Sequence, residues 1–371
     1  MRLITLRPGR EQSVARRHPW LFSGAIAATA GDGTDGRVEV RDASGALVGS
    51  GFHGGSANLA ARLWTFGAEP LDEKLIRYRF ERAVALRRQV IPADTTGYRL
   101  LHAEGDGTPG LIADRYGDTD VLVFTADGLA AARDEIVPLY REVFAPSRLL
   151  VGEGSGTSPF LEYGLRFTAN LGEGQKTGFF LDQRENRRRV REMAGGRTVL
   201  NLFSYSGAFS VAALAGGAVR AVDVDTSVAA LATARDMRRD NGFPVDDADF
   251  VRADVFTDVR DRVAAGEQWD LVICDPPAFA KKRADVDRAA RGYKDVLRLS
   301  MALVRPGGVL LACSCSGLVS AELYQKIVFA AALDSGTSYQ ILARTGAGPD
   351  HPVSVYCPES EYLKAFFLLR G

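Results

Sequence analysis

The stretch "WDLVICDPP" (residues 269–277) decides the fold. Its apolar run, Leu271 to Cys274, is continuous rather than alternating, the pattern of a strand covered on both faces in a parallel sheet. Asp275 closes the run. Pro276 and Pro277 then fix an extended loop, since each ring locks its own φ and restricts the residue before it. Similar apolar runs flank it on both sides: "RTVLNLF" (197–203), "VRAVDVD" (219–225) and "DFVRAD" (249–254) before, "PGGVLLACSCS" (306–316) after. Between them lie helical segments such as "SVAALATARDMRRDNG" (227–242), stopped by Asn241-Gly242, and "GYKDVLRLSMALV" (292–304). Alternating strands and helices predict an α/β fold with a mainly parallel sheet. The tail holds two further strands, in "SYQILARTGAG" (338–348) and "EYLKAFFLL" (361–369), with no helix between them. A terminal antiparallel pair there separates this sheet from an ordinary dinucleotide-binding one.

With 371 residues the chain exceeds one ordinary core, so two or three domains are expected. Residues 1–69 carry short alternating runs divided by Gly and Asp turns, among them "GRVEVRDASGALVGSGF" (36–52), and predict a small β-rich module. From residue 70 the period becomes helical: Leu71, Leu75, Ile76, Phe80, Ala83 and Val84 share a face. A mixed α+β stretch continues to the Gly/Ser/Pro-rich "PSRLLVGEGSGTSP" (146–159), which marks a boundary near 160.

Lys+Arg and Asp+Glu balance at 46 each, so total charge neither demands nor excludes a nucleic-acid partner. No run reaches the roughly 18 apolar residues of a membrane span, and the amino terminus lacks the apolar centre of a secretory signal. Four cysteines in so long a chain argue against a disulfide framework and for the reducing cytoplasm. No Cys/His spacing calls for a metal.

In a doubly wound sheet, ligands bind at the carboxyl ends of the strands where strand order reverses. The first such loop, "NLFSYSGAF" (201–209), offers Asn201, Phe203, Tyr205 and Gly207, the glycine admitting a ligand close to the backbone. Asp225 ends the second strand, where an acid takes ribose hydroxyls, and Asp254 ends the third, where it suits an adenine amino group. An acid about twenty residues past a glycine loop serves NAD equally well. The Asp275-Pro276-Pro277 rim does not, because it builds a rigid polar edge on which a planar base can lie. The four loops together favour S-adenosylmethionine over NAD.

"TGFFLDQRENR" (177–187), "NLFSYSGAFSVAAL" (201–214), "DPPAFAKK" (275–282), "RGYKDVLRLS" (291–300), "CSCSGLVSAELYQKI" (313–327) and "DHPVSVYCPESEYLKAF" (350–366) resemble the bacterial 23S ribosomal RNA cytosine-5 methyltransferases. "GREQSVARRHPWLFSGAI" (9–26) and "ARLWTF" (61–66) resemble that family's PUA module, so the likeness spans nearly the whole chain. The resemblance implies a PUA domain over 1–69, a central linker domain over 70–165 and a Rossmann-like methyltransferase domain over 166–371. The last has a mostly parallel seven-stranded sheet whose final strand is antiparallel. It also implies that Gln183 and Arg184 help hold the methionine end of the cofactor, where a guanidinium suits a carboxylate.

Cytosine carbon 5 is a poor nucleophile until a thiolate adds at carbon 6, so the implied reaction needs a cysteine at the open edge of the sheet. Cys313 and Cys315 sit one residue apart after a strand, and strand alternation points both to one face. The family pattern S-C-S-G matches Ser314–Gly317 and makes Cys315 the nucleophile, with Asp275 contacting ring nitrogen 3 of the target. Cys274 lies inside a strand and reads as packing; Cys357, Tyr293 and Lys294 carry no assigned chemistry.

A target base must be flipped out or single-stranded to meet thiol and cofactor. Basic residues that would track phosphates are Arg16 and Arg17 near the start and Lys281 and Lys282 after the proline loop. The implied partner is large-subunit ribosomal RNA, naked or in an early assembly intermediate, with no membrane and no metal; a homodimer is compatible. Two other readings stay open. One is methylation of a nucleobase nitrogen on the same fold, echoed by Phe279 just past the prolines. The other is an inactive RNA-binding assembly factor.

Overall fold

The computed structural model describes residues 1–54, 58–152, 154–172, 178–280 and 282–371. The chain forms two compact units, the first from 1–161, 168–181 and 349–360, the second from 162–167, 182–348 and 361–371.

The first unit holds a six-stranded sheet in the order Trp20–Phe22, Leu59–Phe66, Leu47–His53, Arg37–Arg41, Arg2–Leu6, Ile26–Ala30. The "GRVEVRDASGALVGSGF" segment folds into the antiparallel hairpin that its turn residues demand. Ile4, Leu6, Leu21, Val38 and Val40 form its core. A four-stranded sheet follows (Gly97–His102, Leu111–Tyr116, Thr119–Phe124, Arg148–Val151), with the helix Glu73–Val90 packing Ile76, Phe80 and Ala83 into the same core. Arg87, on that helix's buried face, is satisfied by both oxygens of Asp106, at 2.5 and 2.8 Å. Residues 349–360 fold into this unit, where Arg87 donates to the Asp350 carbonyl and the Arg99 amide to its carboxylate.

The second unit contains the site. Its sheet comprises β1 (Thr198–Leu202), β2 (Arg220–Asp225), β3 (Phe250–Arg252), β4 (Trp269–Cys274), β5 (Val304–Ser314), β6 (Tyr339–Thr345) and β7 (Lys364–Arg370). The order is 3-2-1-4-5-7-6. Strands β1 to β5 run parallel, and β7 runs antiparallel to both β5 and β6. This is the Rossmann-like sheet with an antiparallel last strand that the sequence predicts. Helices α1 (Arg184–Met193), α2 (Ala208–Ala215), α3 (Val228–Asp240), α4 (Val255–Ala264), α5 (Val286–Leu303) and α6 (Ala321–Ser335) connect or precede the strands. The continuous apolar runs explain burial on both faces: Leu200, Leu202, Val272 and Cys274 enter one core, Val199, Leu271, Ile273 and Cys313 the other. No helix among the described residues is long and apolar enough to cross a membrane.

One buried polar network fixes β1 against β2. Asp223 is fully buried and accepts from Asn201 at 2.8 Å, Ser210 at 2.6 Å and Arg238 at 2.6 Å. Arg238, 1% exposed, also caps the Ala221 carbonyl. Removing Arg238 would leave the Asp223 carboxylate without its ionic partner in the interior.

Candidate active site

The β1–α2 loop is built under backbone constraint. Phe203 (φ 57°), Tyr205 (φ 47°) and Gly207 (φ 70°) all take left-handed conformations within five residues, and two of the three are not glycine. Such strain persists only where the surroundings enforce it, and it gathers at functional loops. Here Asp225 enforces it: one carboxylate oxygen accepts the Tyr205 amide at 2.9 Å, the other the Ser227 amide at 2.9 Å. Asp254 caps α4 through the Thr257 amide at 3.0 Å and is solvent-exposed. The Thr257 hydroxyl also donates to that same Asp254 oxygen at 3.2 Å, so the acceptor capacity Asp254 offers a ligand is on its other oxygen, while each oxygen of Asp225 keeps a second lone pair. Asn201, by contrast, is buried and spent on Asp223 and Ser210.

The second half of the site is a clasp between the β4 and β5 loops. The Cys315 sulfur lies 4.0 Å from the Pro276 carbonyl, and the Ser316 hydroxyl donates to the Ala280 carbonyl at 3.2 Å. Asp275 accepts from the Gln183 amide at 2.8 Å. Gln183 is oriented in turn by Asn186, which donates to its oxygen at 2.6 Å, and Asn186 by the Thr345 hydroxyl at 2.7 Å. The structure thus brings Cys315, Asp275 and Gln183 together. Arg184 sits fully buried at the start of α1, its Nε 3.2 Å from Glu185.

Burial separates the four thiols. Cys274, Cys313 and Cys357 are buried, and Cys315 is half-exposed. Desolvation pushes Cys274 and Cys357 up to about 12 and Cys313 well above the usual thiol range. Those three are held as thiols at neutral pH.

An aromatic series runs inward from the β1–α2 loop: Phe203, Phe256, Phe279, Tyr293 and Tyr324, with ring centroids 6.3, 6.0, 4.5 and 5.9 Å apart in turn. Phe279, one position past the expected stacking residue, belongs to this wall. Tyr293 is its buried anchor, its hydroxyl 3.5 Å from the Pro277 carbonyl, whereas Lys294 points outward to Asp334 at 2.8 Å. Asn186, Thr345 and Lys364 escaped the sequence reading, although Asn186 and Lys364 lie inside quoted motifs, because their partners are distant in sequence.

Of the basic residues proposed for RNA, Arg16 and Arg17 are exposed in the first unit and Lys282 is exposed in the second. Lys281 lies outside the described residues. Among the described residues one metal-type cluster occurs, His18, Cys357 and Glu359. Its hydrogen bonds argue against ligation: the Trp20 amide donates to His18 Nδ1 at 3.1 Å, so Nε2 carries the proton it directs at Glu359, 3.3 Å away.

A model of the S-adenosylmethionine-dependent methyltransferase family matches residues 122–353, and a PUA-like domain model matches residues 4–66. The chain is 37% identical to ribosomal RNA large subunit methyltransferase I of Serratia proteamaculans, covering 98% of each. It is 40% identical to the protein of the same name from Aeromonas salmonicida, covering 97% of each. It shares its fold with a candidate SAM-dependent methyltransferase from Streptococcus mutans (TM-score 0.86, 24% identity, all of both chains). The same holds for a crystal structure of a candidate methyltransferase complexed with SAH (TM-score 0.87, 24% identity, all of both chains).

Proposed function

The chain belongs to the S-adenosylmethionine-dependent methyltransferase family of the ribosomal RNA large subunit methyltransferase I proteins, and we propose that it forms 5-methylcytosine in large-subunit ribosomal RNA through an adduct on Cys315. The observation that carries this reading is the reachable thiol clasped against the loop that bears Asp275.

S-adenosylmethionine fits the donor set: carboxylates at the ends of β2 and β3, an open strained loop at Tyr205, and the Phe256 ring beside it. When bound, it supplies an electrophilic methyl group. Gln183 and Arg184 remain the proposed holders of its methionine end, Phe203, Tyr205 and Gly207 the loop that seats it, with Asn201 bracing the end of β1 beneath that loop through Asp223 and Ser210, and Asp225 and Asp254 the partners of ribose and adenine.

The protein's own residues do the rest. The Cys315 sulfur attacks carbon 6 of a flipped cytosine, and the carbon 5–carbon 6 pair shifts toward nitrogen 3, where Asp275 holds the proton that stabilises it. Carbon 5 then takes the methyl group, loses its proton to a base, and the sulfur departs. The Gln183 bond to Asp275 orients this carboxyl toward the ring. The wall from Phe203 to Tyr293 keeps water from the reacting carbon. The PUA-like domain, with Arg16 and Arg17, and the Lys281–Lys282 pair are assigned to phosphate contacts. The division into 1–69, 70–165 and 166–371 is kept as the functional one.

The test is incubation with methyl-labelled cofactor and deproteinised large ribosomal RNA, followed by digestion to nucleosides. Labelled 5-methylcytidine is expected, with Cys315→Ala reducing it at least about a thousandfold, as loss of a covalent nucleophile does. Label on another nucleoside, or an active Cys315→Ala enzyme, would overturn the mechanism.

A further inference from the structure

Lys364 is a lysine in the wrong place for a surface residue. It opens β7, directly opposite Ser314 at the end of β5, and is 6% exposed. Two of its three N–H groups are committed: Nζ donates to the Ser316 carbonyl at 2.5 Å and to the Tyr362 carbonyl at 2.7 Å. Both neighbours of Cys315 in the chain are therefore tied to this residue, Ser314 by strand register and Ser316 by the ammonium. A negative charge on the sulfur they flank would hold the amine's pKa up against the effect of burial.

Resting on the reading of Cys315 as nucleophile, we propose that Lys364 is a positioning residue for it: its anchored ammonium directs its remaining N–H toward the sulfur and holds Cys315 as the thiolate between turnovers. A buried lysine without an anion partner gains nothing from its charge. Burial pushes this amine down to about 8, and a negative Cys315 pulls it the other way. At pH 7 it is still mostly the cation.

The charged groups about the pair are few. Glu361 faces the amine from the preceding loop, and Glu322 of α6 and Arg344 of β6 share with it a cleft of about 510 Å³. On the sulfur side stand Asp275 of the β4 loop, Cys313 of β5 and Tyr293 of α5. Through the reaction the S–C6 bond forms with the thiolate's pair and breaks with return of that pair to sulfur. Lys364 neither gives nor takes a proton.

The experiment is the pH dependence of Cys315 alkylation by iodoacetamide, read by peptide mass spectrometry on the full chain, for wild type and Lys364→Met. Wild type should titrate below the ordinary thiol value of about 8.5. Lys364→Met should raise the midpoint by about 1–3 units and slow labelling at pH 7 at least about tenfold. Lys364→Arg, which keeps a fixed cation, should retain most of the wild-type profile. Should the methionine variant fail to fold, thiolate ultraviolet absorbance of wild type against Cys315→Ser gives the midpoint directly. A wild-type midpoint at or above about 8.5, or an unchanged profile in Lys364→Met, overturns the proposal. If Cys315→Ala still forms 5-methylcytidine while the midpoint proves low, the role of Cys315 as nucleophile fails and the charge pairing stands.

Discussion

Gly207→Ala tests whether the β1–α2 loop is built as described. Gly207 caps α2 at φ 70°, and a Cβ there would lie 2.7 Å from the Ala234 Cβ and 3.2 Å from the Asp223 carboxylate. Ala234 is fully buried on α3 and its methyl has no rotamer by which to withdraw. The left-handed backbone alone costs about 1–2 kcal/mol for a residue with a Cβ. Forcing a methyl into a filled core adds about 1–3 kcal/mol. The sum, about 2–5 kcal/mol, corresponds to a fall in melting temperature of about 4–20 °C for a unit of this size. Gly242→Ala is the matched control. It has φ 73° but nothing within 4 Å of its would-be Cβ, so only the backbone cost of about 1–2 kcal/mol applies. Thermal melts of the two variants should therefore differ by the clash alone. Calorimetry with S-adenosylhomocysteine should show a further split: Gly207→Ala shifts the Tyr205 loop and weakens binding at least about tenfold, or 1.4 kcal/mol, while Gly242→Ala binds as wild type. Equal stability losses in the two variants, or unaltered binding by Gly207→Ala, would refute the account of this loop.

At pH 8 in native buffer, iodoacetamide should modify Cys315 and spare the other three cysteines. A thiol pushed up to about 12, as Cys274 and Cys357 are, keeps only about one part in ten thousand as thiolate at that pH, and the shift is upward, so lower pH protects it further. Peptide mass spectrometry should find four adducts only after denaturation; native labelling of Cys313 would contradict its burial. Asp223→Ala leaves the buried Arg238 with the Asp249 carboxylate, at 3.3 Å, in place of its short pair to Asp223, and removes the acceptor for Asn201 and Ser210. Denaturant unfolding should show a loss of about 3–5 kcal/mol, and a loss under 1 kcal/mol would mean that the network is solvated.

The strands of the second unit were legible because a buried parallel strand must be apolar on both faces, a property of consecutive residues. Leu271 to Cys274 and Val309 to Cys313 show it without reference to the rest of the chain. The positions of the candidate loops were legible for a similar reason: Gly207, Asp225, Asp254 and Asp275 each fall at the end of such a run. Strand alternation could not divide Cys313 from Cys315, since it sets both on one face; the strand-end position and the family pattern were what favoured Cys315. The fold divides them because β5 ends at Ser314, so Cys315 stands past the last paired residue and turns outward while Cys313 is sealed under the sheet. Neither could sequence show that Asp223 is spent on Arg238 while Asp225, two residues on, shapes the cofactor loop. Lys364 is the same case, its partner carbonyl at Ser316 lying 48 residues away. Backbone geometry repeats every two or 3.6 residues and so writes itself into local sequence. The partner of a buried charge is chosen by how distant segments meet, and only the folded chain decides that.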